Sequence, residues 1–358
     1  MKKSFSAVLI IILIFTFGET YPQAYDGSFY GFFFGRQPGA RSEAMGRSLA
    51  SVPGDVSSCY FNPAGSAVLN GLNLWGSYAE PYYEFEKGNF TGFGATYSFK
   101  KSGVLGFSGE VFSPNEFAGI PGNDTGAANN EAYNTGIANV RITVSSEIAK
   151  DFYAGLSLNT FWPLEKYRHM SIGNTKGVSS DVIVYLDLGV MKSFTKTSKK
   201  NKHTFTLGSA ITNLNFSGYS ISDNDQRGTL PVIFRAGASY NIILYRKGIT
   251  FIAGIEYEDV LNSQYFEGIH TGIEFGLFDL LFLRAGYYSQ DNSDCAECTD
   301  RLNEFTYGAG LHLNFVPSGY RTWGIKFDYT NLRQPQLFIN RSEPERFSSF
   351  TALIYFIF

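Results

Sequence analysis

From residue 71 onward the chain alternates. Over 304–315, EFTYGAGLHLNF, one face carries Phe305, Tyr307, Ala309, Leu311, Leu313 and Phe315, and the other carries Glu304, Thr306, Gly308, Gly310, His312 and Asn314. The first set is apolar throughout and the second is polar or glycine, the two-residue period of a strand whose faces meet different surroundings. At 322–329, Trp323, Ile325, Phe327 and Tyr329 oppose Thr322, Gly324, Lys326 and Asp328 in the same way. Segments 232–242 and 249–258 repeat the pattern. Marking every such run predicts fourteen strands, near 72–80, 89–99, 104–112, 136–148, 152–163, 180–191, 204–212, 231–243, 249–259, 266–275, 280–289, 303–315, 321–330 and 347–358. Their lengths cluster near the ~9–11 residues that a tilted strand needs to cross a bilayer.

The connections alternate too. Links at 100–103, 149–151, 244–248, 276–279 and 316–319 are tight, whereas those at 113–135, 164–179, 213–230, 290–302 and 331–346 are long and polar. Short turns at one rim and long loops at the other describe an outer-membrane barrel. Two links depart from this: 192–203 is lysine-rich and longer than its place demands, and 260–265 is short on the long-loop side. A secreted β-sandwich would also alternate, but its loops would not follow this parity. The expected fold is therefore all-β: a transmembrane antiparallel β-barrel of about fourteen strands with a small N-terminal plug, or hatch.

Composition fits that reading. Aromatics make up 17% of the residues, with 34 Phe and 23 Tyr, beside 38 Gly. Beyond the leader no apolar run is long enough to cross a bilayer as a helix. Lys2, Lys3 and the apolar stretch Ala7 to Phe17, followed by Pro22-Gln23-Ala24, read as a secretory signal peptide over 1–24, too short for a membrane span. Cleavage there removes two positive charges and one negative, taking the net charge from −3 to −4, a balance that argues against nucleic acid as a partner. The domain reading is thus signal peptide 1–24, plug 25–70 and barrel 71–358, located in the outer membrane of a diderm bacterium with membrane lipid around it.

If the apolar faces meet lipid, the other faces line the lumen. That set includes Glu110, Arg141, Glu147, Asp187, Arg235, Glu256, Glu258, His270, Glu274, Arg284, Glu304, Lys326 and Asp328. Charges in a closed interior must meet one another, water or a plug. They read either as a structural ionic network holding a plug or as a polar conduit; with mixed signs, nothing suggests a strongly ion-selective channel. A fourteen-stranded barrel leaves a gap that side chains alone do not fill, and residues 25–70 are the material available to fill it.

Candidate chemistry is sparse. There is no G-x-S-x-G elbow, H-E-x-x-H motif or phosphate loop, so an enzyme is not expected, nor a metal or cofactor. The histidines, His169, His203, His270 and His312, lack ligand spacing. Cys295 and Cys298 form C-x-x-C in an acidic stretch. Two thiolates fall short of a four-ligand zinc site; a local disulfide is the favoured state in an exported protein, with free thiols and metal as alternatives. Cys59 is left over, and 222–228 reads as a solvated acidic loop.

The stretch 43–65, EAMGRSLASVPGDVSSCYFNPAG, is unlike the rest. Ala44, Gly46, Ser48 and Ala50 would let a short helix pack closely inside a wall, and Pro53-Gly54 would break it. Asp55 would cap the next turn or meet a lumen arginine such as Arg141, Arg235 or Arg284. Asn62-Pro63 would turn the chain into the first strand. Together with Ala40 and Arg41, the residues Ala44, Met45, Gly46, Asp55, Asn62, Pro63, Ala64 and Gly65 resemble the N-terminal motif of the FadL-type and PorV/PorQ-type outer-membrane superfamily. The segments 230–241, 282–288 and 307–315 resemble its PorV/PorQ branch. Arg47, where a second small residue is common, and Cys59 depart from the pattern. The resemblance implies a fourteen-stranded barrel with a plug folded inside it. It also implies one of two roles: an accessory of type IX secretion that handles cargo C-terminal domains, or a FadL-like importer of fatty acids or other hydrophobic small molecules through the plug region and an opening in the wall. The terminal run FSSFTALIYFIF, ending on Phe358, resembles the signal that barrels present to their insertion machinery.

Overall fold

A computed structural model describes residues 39–80, 89–113, 137–163, 170–172, 175–177, 182–215, 219–220, 227–228, 230–262, 267–290, 302–315, 322–333 and 346–357. The signal peptide, the first part of the expected plug, the 222–226 stretch of the acidic loop, Cys295, Cys298 and Phe358 lie outside them.

The alternating segments form one closed sheet. Its strands are β1 (Leu72–Glu80), β2 (Asn89–Ser98), β3 (Val104–Ser113), β4 (Ile137–Ala149), β5 (Phe152–Pro163), β6 (Ile183–Thr197) and β7 (Asn201–Asn215). They continue with β8 (Ile233–Leu244), β9 (Ile249–Val260), β10 (Glu267–Leu277), β11 (Leu281–Gln290), β12 (Leu302–Phe315), β13 (Thr322–Arg333) and β14 (Arg346–Ile357). Every strand is antiparallel to its sequence neighbour, and β1 closes on β14 with Leu72 opposite Phe356 and Tyr78 opposite Phe350. The long loops carry two short hairpins that the alternation does not announce, Met170–Ile172 with Thr175–Gly177 and Tyr219–Ser220 with Arg227–Gly228.

Periodicity decides which face looks out. Phe93, Phe107, Ile142, Leu158, Ile273, Phe305 and Phe327 are exposed, while Ser108, Thr143, Ser157, Thr206, Thr306 and Thr330 are buried. The apolar faces therefore surround the barrel and the polar faces fill it. Lipid cannot satisfy a free backbone N–H or C=O, so a sheet spans it only when closure leaves no edge. Closure with this inside-out polarity makes the chain an outer-membrane β-barrel of a diderm bacterium. No described helix is long and apolar enough to cross a membrane.

Turn chemistry explains the tight rim. Gly103 (φ 115°) and Gly248 (φ 60°) end single-turn links, and Phe278 (φ 55°) with Asp279 (φ 51°) supplies consecutive positive φ angles in the three-residue link 278–280. The lysine-rich link expected over 192–203 is corrected here: β6 runs to Thr197 and β7 starts at Asn201, leaving 198–200 as the turn. Ser193–Thr206 (3.0 Å) and Thr195–Thr204 (3.3 Å) hydroxyl pairs and a stacked Phe194–Phe205 pair hold that extension. With both faces part-polar, it lacked the alternation that marks a strand. The correction restores the short-turn parity.

Candidate functional site

Residues 39–71 lie inside the barrel and enter β1 from the short-turn rim. The segment opens with α1 (Ala40–Ala44). Gly46 (φ 60°) and Arg47 (φ 67°) then reverse the chain, and Gly54 (φ 83°) turns it again after Pro53. The short helix α2 (Ser58–Phe61) and a 3-10 turn, Pro63–Val68, complete it. Local capping specifies these bends. Asp55 Oδ1 accepts from the Ser57 amide (2.8 Å), and Asn62 Oδ1 accepts from the Ala64 amide (3.0 Å) with Pro63 in the first helical position. Asn62 therefore starts a 3-10 turn rather than leading directly into β1. Met45, Leu49, Val52, Val56, Cys59, Tyr60, Phe61 and Leu69 form a buried cluster with Trp75, Ile252 and Leu353 of the wall. Burial pushes the Cys59 thiol up to about 11.

The wall makes room with glycine. A Cβ on Gly272 would strike the Met45 carbonyl, one on Gly286 the Gly46 amide, and one on Gly208 the Ala50 carbonyl. On the other side, Gly189 would strike Asn62 Oδ1, and Gly155 the Pro63 carbonyl carbon and the Ala64 amide. Gly155 pairs with Gly189, and Gly272 with Gly286, so the small positions form patches in register across strands. The inner segment thus rests backbone against backbone. Side chains lock it. Asn62 Nδ2 donates to the Ala50 (2.7 Å) and Val190 (3.1 Å) carbonyls, the Ala50 amide donates to Glu256 (2.6 Å), and Ser239 donates to the Ser51 carbonyl (2.6 Å). Thr306 accepts from Gly46 N–H (3.2 Å) and donates to the Ala44 carbonyl (3.1 Å).

The lumen charges form three arginine-centred clusters. Arg141 lies 3.3 Å from Asp187 and 3.7 Å from Glu110, with its guanidinium 4.0 Å above the Tyr60 ring. Arg235 lies 2.8 Å from Glu258 and 3.3 Å from Glu256. Glu274 joins Arg284 (2.5 Å) to Arg41 of the inner segment (2.7 Å), Arg41 continues to Asp55 (2.8 Å), and Arg284 reaches Asp328 (2.6 Å). Buried charges persist only when matched and hydrogen-bonded, and here the partners are split between the wall and the inner segment. Asp55 meets an arginine, but it is Arg41 in its own segment rather than Arg141, Arg235 or Arg284.

Two of the expected lumen residues sit differently. Glu147 is exposed at the short-turn rim, where its carboxylate accepts from the Asp151 amide (2.7 Å) beside a bulge at 147–149. Its parity is correct, but the strand has passed the barrel's edge. Glu304 is half-buried near the long-loop end. Lys326 faces inward with no carboxylate in ion-pair range among the described residues, its ammonium 5.5 Å from the Tyr355 ring. Two contributors escaped the sequence reading, the seating glycines and Trp75; His312, expected on the polar face, lies tilted against Phe282 at 4.0 Å between ring centroids.

No protein-family model matches the chain, and no curated protein does. Solved structures match in architecture. The Pseudomonas putida toluene transporter TodX superposes at a TM-score of 0.46 with 12% identity, covering 90% of this chain and 98% of the other. The Ralstonia pickettii toluene transporter TbuX gives 0.45 and 10% identity over 89% and 97%. A Pseudomonas aeruginosa FadL homologue gives 0.43 and 11% identity over 90% and 97%. At these values the likeness is one of barrel architecture.

Below the inner segment, toward the short turns, lies a cavity of about 170 Å³. Val56, Trp75, Phe282 and Leu353 give it apolar surface, while Arg41 and Lys326 share its polar side with the acidic residues Asp55, Glu274, Asp279 and Asp328. The wall opening implied by the resemblance has no counterpart among the described residues: every neighbouring strand pair is laddered, and the bulge at 186–188 is filled by Asp187, which accepts from the Asn213 amide (2.8 Å).

Proposed function

We propose that residues 39–70 are a plug and that the barrel admits hydrophobic small molecules across the outer membrane when the plug shifts. This is the FadL-like role that the sequence resemblance implies. The observation that supports it is the cavity. Trp75, Leu353 and Val56 offer an apolar wall beside a mixed-charge side in which Arg41 is paired and Lys326 has no ion pair among the described residues, a combination suited to a small amphipathic molecule. A strain lacking the protein should take up labelled long-chain fatty acid or toluene more slowly than one carrying it. Equal uptake across such a panel would remove the reading.

A second reading, an accessory of type IX secretion, draws on a different observation. The lumen is filled by backbone-on-backbone contact, and the described wall has no break, so this body could present partners on its long loops without conducting anything. Affinity capture of the tagged protein should then bring down secretion components or cargo C-terminal domains. A clean preparation with neither counts against it.

A further inference from the structure

The hairpin of β6 and β7 projects past β5, whose first residue, Phe152, pairs with Lys192. Even-numbered residues of β6 look outward here, so Lys192, Phe194 and Lys196 share the lipid-facing side. Phe205 (40% exposed) pairs with Phe194 (53%) and with Tyr240 of β8 (40%). The tip adds Lys199 and Lys200, and the Lys200 carbonyl accepts from the Tyr245 amide (3.1 Å), bringing in the next turn with Arg246 and Lys247. No acidic residue occurs from Lys192 to Asn215 or from 231 to 255. Lys196, Lys199 and Lys200 have no ion pair among the described residues; the Lys192 ammonium donates to the Lys150 carbonyl (2.7 Å), and the adjoining turn carries two carboxylates, Glu147, which accepts from the Asp151 amide, and Asp151, whose carbonyl accepts from the Ser193 amide (2.9 Å). A solvated basic turn would not need rings on its outer side. Rings and cations together at one edge of the apolar belt are what a lipid headgroup zone selects, the ring lying at the boundary and the ammonium at the phosphate.

We propose that the outer face of this hairpin, centred on Lys192, Phe194 and Lys196, binds the headgroup of an anionic phospholipid in the leaflet at the short-turn rim. The cations attract the phosphate, while Phe194, Phe205 and Tyr240 pack on the first carbons of the acyl chains. The site is separate from the lumen and does not depend on what the barrel conducts.

The test uses the full-length protein in neutral detergent, with phosphatidylglycerol and phosphatidylethanolamine of identical chains offered together and retention read by native mass spectrometry. The wild type should retain phosphatidylglycerol in preference, and a K192Q/K196Q variant should lose roughly tenfold of that preference. Inorganic phosphate should not displace the lipid. Equal retention of both lipids, an unchanged preference in the variant, or displacement by phosphate overturns the proposal. If the variant does not fold, the wild type still decides: raising the salt about tenfold should strip the preference, and a salt-independent preference overturns it.

Discussion

Two arcs of the wall meet the plug in opposite ways. From β5 round to β11 the wall recedes to glycine: plug main chain lies directly on strand main chain at Gly155, Gly208, Gly272 and Gly286, and the Asn62 side chain lies on Gly189. From β13 through β14 and β1 to β2 the wall instead reaches inward with Lys326, Leu353, Trp75 and Phe90. The cavity lies against this second arc, with Glu274, Phe282 and His312 of β10 to β12 closing its other side. A backbone seat has no rotamers and fits one shape, whereas a side-chain contact can yield. The first arc fixes where the plug sits, and the second decides how much free space lies beside it.

The sharpest way to break this contrast is to put bulk on the seat. Gly272→Val or Gly286→Val should unseat the plug, at a cost above the ~1–3 kcal/mol of ordinary overpacking because the opposing atoms are main chain. Cys59 reports the outcome. Its thiol is buried, and its raised ionisation keeps it protonated at pH 8, so in a C295S/C298S background maleimide should label the glycine variants and spare the parent. Equal labelling would mean that the seat is not needed.

Next in size is Glu274→Gln. It removes the carboxylate shared by Arg41 and Arg284 and leaves both cations short of a partner, which should cost about 3 kcal/mol and appear as a lower melting point in detergent. Asn62→Ala deletes one donated and one accepted bond inside the plug and one donated bond to Val190 of the wall, for about 2 kcal/mol by the same assay, together with greater entry of large antibiotics. The smallest effect belongs to Gly106→Ala in β3. There a Cβ finds only ordinary contacts at 3.5 Å with Thr96 and Thr143, and a change within about 0.5 kcal/mol is expected. A Gly106→Ala loss matching that of Gly272→Val would erase the distinction between seat and ordinary wall.

The wall was legible because membrane strands must alternate, and all fourteen segments read from the pattern became strands with ends shifted by a few residues. The pattern failed where a strand reaches the headgroup zone at the rim. Beyond Lys192 both faces are part-polar, so the end of β6 looked like loop, and Glu147 looked like a lumen residue when it sits on a turn. The inner site was legible as a list of charges but not as a set of pairs. Nothing in the spacing says that Glu274, rather than Glu110, Asp187 or Glu256, would hold the plug's Arg41. The glycine seat was hidden for a simpler reason: in strands of a glycine-rich chain, a residue that makes room is indistinguishable by pattern from one that merely occupies a position.

The glycine seat also sets a clock. A gate made of side chains opens as fast as rotamers turn, in picoseconds to nanoseconds. A segment whose main chain is pressed on several strands at once can leave only as a body, a motion of microseconds to milliseconds. Whatever crosses this barrel would therefore do so in rare, discrete openings, and single-molecule traces should show long closed intervals between brief events.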